Sequence, residues 1–115
     1  MAYDEVLAGR VRATLGGARR VEEKRMFGGL TFMVGGKMCV SVGKDRVMCR
    51  IDPAVHDEAL QHKGSRTVTM KGREYRGYVY VDAKVVGTKR DLDYWIGLAL
   101  DYGKKAGHAK KKIKA

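Results

Sequence analysis

The chain has 115 residues, enough for one domain and hardly for two. Its 44% hydrophobic and 32% charged residues describe a globular protein with a busy surface and exclude a disordered one. Lys and Arg number 24 against 13 Asp and Glu, a net charge of +11; from Lys104 onward six lysines meet no acid, so +6 lies there and +5 in residues 1–103.

Residues 4–15 read as an amphipathic helix. Leu7, Val11 and Leu15 recur every four residues, Ala8 shares their stripe, and Asp4 is placed as N-cap. Gly16–Gly17 ends it, because glycine takes the left-handed C-terminal conformation without a Cβ clash. The period then becomes two. Residues 21–26 form a first strand with a charged, solvated face, 30–34 a second and 37–42 a third, the last two joined by the hairpin dipeptide Gly35–Gly36. A turn at 43–46 leads into a fourth strand at 47–51.

Asp52-Pro53 opens a second helix, aspartate as cap and proline at the first helical position, running to about His62 and ending near Gly64. Strands at 67–70 and 75–81 follow, linked at Lys71–Gly72. Thr88-Lys89-Arg90-Asp91 fits a capping box, after which Leu92, Trp95, Ile96, Ala99 and Tyr102 line one stripe of a helix to about Lys105. Residues 1–105 are thus expected to be the domain, and 106–115 a flexible lysine-rich tail.

The order α-β-β-β-β-α-β-β-α with short turns predicts an α+β fold, an antiparallel meander sheet with packed helices. Strand 30–34 is apolar on both faces. Either helices cover both faces, or the second face meets another subunit, as in a homodimer.

A hairpin turn at 43–46 sets Val42 opposite Val47, Val40 opposite Cys49 and Met38 opposite Ile51. Cys49 then points into the core and Cys39 to the other face, so two reduced, unbridged cysteines are expected. His56 and His62 fall on different sides of a helix and read as solvated surface; no metal-ligand spacing connects them. No nucleophile elbow, phosphate loop or dinucleotide fingerprint is present. The chain is therefore expected to be no enzyme and to carry no catalytic residue, cofactor or metal. Arg25 to Phe32 overlays part of an RNA-binding strand signature, but Met26 and Gly29 stand where that signature has glycine and a stacking aromatic. With no bilayer-spanning apolar run and no secretory signal in MAYDEVLAGR, a cytoplasmic location without membrane contact is expected.

The block Arg25-Met26-Phe27-Gly28-Gly29-Leu30, followed by Phe32-Met33 and Met38-Cys39, resembles the signature of the TfoX/Sxy family N-terminal domain. Ala2-Tyr3-Asp4-Glu5 and Gly77-Tyr78-Val79-Tyr80-Val81-Asp82 fit the same pattern, and the resemblance spans about residues 1–105. It implies an α+β fold and a non-catalytic regulatory setting: the family's namesakes regulate natural-competence genes together with other transcription factors. Longer members carry a C-terminal helical domain, and this chain ends instead in lysines. On the residues alone, Phe27 and Leu30 are core or interface anchors, Gly28–Gly29 lets the chain bend between strands, and Arg25 pairs with an acid or reaches a partner.

The resulting expectation is a transcriptional co-regulator that works through protein contacts at a sheet surface bearing Arg25, Phe27, Arg50, Tyr78 and Tyr80. The rival expectation is a weak, sequence-independent nucleic-acid binder acting through Lys104, Lys105, Lys110, Lys111, Lys112 and Lys114.

Overall fold

The computed structural model describes residues 3–114 apart from Arg19 and Phe27, with side chains as far as Gly103. The elements in chain order are α1 (Glu5–Thr14), β1 (Val21–Met26), β2 (Gly29–Val34), β3 (Lys37–Val42), β4 (Arg46–Arg50), a 3₁₀ turn (Pro53–Val55), α2 (His56–Ala59), β5 (Ser65–Met70), β6 (Arg73–Asp82) and α3 (Lys89–Lys114). This is the expected α+β order. The second helix is shorter than its Asp52-Pro53 start suggested, a 3₁₀ turn running into a single turn of α2, whereas α3 continues past Lys105.

Local signals set the ends of these elements. The Asp4 carboxylate accepts from the amides of Val6 and Leu7 at 3.0 and 3.1 Å and starts α1. At α3 the Asp91 amide donates to Thr88 Oγ1 at 3.2 Å while the Thr88 hydroxyl donates to the Asp91 carboxylate at 2.9 Å. Both two-residue hairpin loops, Gly35–Gly36 and Lys71–Gly72, hold positive φ at each position, the twist that antiparallel strands prefer.

All six strands form one antiparallel sheet in the order β1-β2-β3-β4-β6-β5. The chain meanders as far as β4; the crossover through α2 then places β5 at the edge, and β6 pairs with β4. The expected register holds at the centre, with Val42 opposite Val47 and Val40 opposite Cys49.

One face of this sheet is the core. Leu30, Phe32, Val40, Val42, Val47, Cys49, Val79 and Val81 pack in a single cluster with Leu7, Val11 and Leu15 beside α1 and with Leu92, Trp95, Ile96 and Ala99 of α3. Of the two ways to account for the apolar β2, helices on both faces is not the one observed: the helices of this cluster lie on one side.

Two sequence expectations need correction. Cys39 does not face away from the core; it joins the same cluster as Cys49. Between β2 and β3 the register jumps from Phe32↔Val40 to Met33↔Met38, so Cys39 is the extra residue of a bulge, which breaks the alternation. Both thiols are free, and burial raises both: Cys39 to about 11, and Cys49 further still, with Cys39 contributing.

His56 is likewise not a solvated surface residue; it is 2% exposed. Between β5 and β6 the register jumps from Thr67↔Val79 to Val68↔Tyr75, which lifts residues 76–78 out of the β5 ladder. The His56 ring fills the gap. Its Nδ1 accepts from the Gly77 amide at 2.9 Å, which leaves the proton on Nε2, 2.9 Å from Thr67 Oγ1. Gly77 itself has φ of 93°, and a Cβ there would press on the Ile51 carbonyl oxygen and Pro53.

The glycine pair of the RMFGG block has an architectural role. Gly28 has φ of 74°, and a Cβ on Gly29 would collide with the Val42 carbonyl oxygen across the β2–β3 ladder. No helix among the described residues is long and apolar enough to cross a membrane.

Candidate interaction surface

Strand alternation decides what the second face of the sheet displays. With Val47, Cys49, Val79 and Val81 directed to the core, Arg46, Met48, Arg50, Tyr78, Tyr80 and Asp82 belong to the opposite side. One row crosses the whole sheet there: Lys24, Thr31, Ser41, Met48, Tyr80 and Arg66 are successive cross-strand partners. Its middle is buried. The Thr31 hydroxyl donates to Ser41 Oγ at 2.9 Å, also lies 3.3 Å from the Met26 carbonyl, and so needs no water.

Toward β4, β6 and β5 the face becomes a lattice of guanidinium groups and phenol rings. Arg46 lies 3.7 Å from the centroid of the Tyr80 ring, and Arg66 approaches the same ring at 5.6 Å. Arg50 stands 5.8 Å from Tyr78 and 5.2 Å from Tyr102 of α3. Such cation–ring pairs hold both partners in place without neutralising the charge. Arg66 alone is ion-paired within the lattice, to Asp82 at 3.0 Å. Arg46 and Arg50 meet no carboxylate within ion-pair distance among the described residues.

Of the residues expected at a sheet surface, the structure brings Arg50, Tyr78 and Tyr80 together. Arg25 stands apart: paired with Leu30, it lies on the helix-covered side of β1, three strands from β4. Phe27 lies outside the described residues, as do the side chains of Lys104, Lys105, Lys110, Lys111, Lys112 and Lys114. Sequence reading missed Arg46 and Arg66. The period-two spacing of Arg46 and Arg50 about Met48 was the available signal for the first; the second needed the β5–β6 register.

The bulge in β6 positions this lattice. His56 holds Gly77, the residue before Tyr78, and Arg76 makes a two-bond pair with Asp57 at 3.1 and 3.2 Å. That guanidinium lowers the Asp57 pKa. On the far side Arg12 forks onto Glu23 at 2.6 and 2.7 Å, tying α1 to β1 and lowering the glutamate pKa. These ion pairs are exposed and fasten elements to one another; they do not converge on a pocket. Among the described residues no three His, Cys, Asp or Glu side chains gather as a metal site would require.

The fold and this face define an α+β sheet-and-helix domain with one covered and one cation-rich side. The family model described as TfoX N-terminal domain matches residues 13–102, and the chain belongs to that family. No curated protein and no solved structure matches it.

Proposed function

We propose that the chain is a non-catalytic interaction domain of the cytoplasm, a transcriptional co-regulator of the kind its family is known for, which binds an acidic protein surface through the Arg46, Arg50, Tyr78 and Tyr80 lattice. The observation that carries this reading is the pair of arginines held against aromatic rings and, among the described residues, within ion-pair distance of no carboxylate, the Asp82 that faces Arg46 across the strands being taken by Arg66. Arg and Tyr are enriched where protein interfaces concentrate binding energy, and pre-ordered side chains lose little entropy on docking. A second copy is a poor occupant, because two such faces would set arginine against arginine. The test compares proteins retained from lysate by the wild type and by an Arg50→Glu/Tyr80→Ala double variant of unchanged melting temperature. An acidic partner retained by the first and lost by the second supports the reading; equal retention removes the face from it.

The charge distribution favours a second reading, in which the six tail lysines bind nucleic acid through phosphate contacts alone. DNA affinity measured across a salt series for the whole chain and for a version ending at Gly103 separates the two. A shallower salt slope in the shortened chain supports the tail, and equal slopes exclude it.

A further inference from the structure

Among the described residues the core leaves an opening at one end. Where the residues after α1, the β2–β3 hairpin and the last described turn of α3 meet, a cavity of about 580 Å³ remains. Small residues create the room: Gly17 and Ala18 follow α1, and Ala99 and Gly103 form the facing side of α3. The bulge that turns Cys39 inward makes that residue part of the wall, with Val34, Met38 and Leu100 completing an apolar lining. The volume lies within the range of pockets that take small organic ligands, roughly 300–1,000 Å³.

Lys37 also lines this cavity, and its Nζ is buried with no hydrogen-bond partner. It is the unsatisfied buried side-chain nitrogen or oxygen found among the described residues. A buried ammonium without an acceptor is costly, and native structures satisfy such groups with an ion, a water or a ligand. None of the described lining residues is a carboxylate. The lysine stem is long and flexible, so an acceptor brought into the cavity comes within its reach.

We infer that the cavity binds a small amphipathic carboxylate, an alkyl or arylalkyl acid whose apolar body lies against Val34, Met38 and Leu100 and whose carboxylate meets Lys37. The apolar wall supplies most of the affinity, and the single cation selects the acid over its uncharged analogues. Strand alternation puts the arginine–tyrosine face on the other side of the sheet, and the two sites approach each other at the end of α3, where Tyr102 meets Arg50 and Gly103 lines the cavity.

Octanoate and 1-octanol, equal in chain length and different in charge, are the probes. Titrated into the full chain and followed by calorimetry, octanoate is expected to saturate one site and to bind at least tenfold more tightly than the alcohol. Lys37→Met is expected to bring octanoate down to the level of octanol and leave octanol unchanged. Lys44→Met, which removes an exposed lysine from the β3–β4 turn, controls for the overall positive charge and is expected to alter neither. Ala18→Trp, at the half-buried rim, is expected to fill the cavity and abolish both. Absence of saturable octanoate binding, or a preference for the acid that survives Lys37→Met or falls equally in Lys44→Met, would overturn the assignment.

Discussion

The two faces of the sheet are made by the same strands yet do different work. On the covered face the central positions from Leu30 to Val81 are apolar, Cys39 and Cys49 among them, and the helices cover it except at the cavity. On the other, the buried centre is Thr31, Ser41 and Met48, and the surround is Arg46, Arg50, Tyr78 and Tyr80. Hydrophobic burial holds the fold on the first side, whereas the second buries a small, partly polar centre and arrays charge around it on rigid strands. The core and the proposed recognition surface are thus separated by a single residue step along β4 and β6.

Substitution should expose that division, most strongly on the covered side. Trp95 is fully enclosed, with its ring edge-on to Tyr94 and His62. Trp95→Ala is expected to cost about 3–5 kcal/mol, or to prevent folding, as read by urea denaturation.

Next is the brace beneath the bulge. His56→Ala leaves the Gly77 amide unsatisfied and is expected to cost about 2 kcal/mol. Burial, and secondarily Arg76, lowers the His56 pKa from its ordinary 6.5, outweighing Asp57 and Glu74. The unfolded chain therefore binds the proton first. Stability present above pH 6.5 should decline as pH falls below that value toward the folded-state pKa, in a window above that of the carboxylates. His56→Gln should flatten this part of the stability–pH curve.

Smallest is the effect on the open face. Arg46→Ala or Tyr80→Ala removes a half-exposed cation–ring pair and is expected to change stability by less than about 1 kcal/mol by thermal melting. A loss comparable to that of Trp95→Ala would erase the distinction between the faces.

Much of this architecture was legible residue by residue. Asp4, the Thr88 capping box, both hairpin dipeptides and the α3 stripe rest on local geometry, and the register at Val40 and Cys49 follows from one turn. The features that escaped depend on tertiary contact. Nothing near Cys39 in sequence announces a bulge, since that irregularity is a property of two strands and not of one. His56 looked like surface because its partners, Thr67 and Gly77, lie 11 and 21 residues away. The crossover that puts β5 at the edge had no local signal either, and with it went Arg66 and half of the candidate face.

The complete enclosure of Cys49 also equips the domain with an internal clock. Burial holds the Cys49 thiol protonated well above neutral pH, whereas Cys39, though raised to about 11, lines the cavity. An alkylating reagent can therefore reach Cys49 only when the sheet opens. At pH 7.5 the rate of its labelling by iodoacetamide should follow the frequency of unfolding, making the chain a reporter of its own integrity that needs no introduced dye.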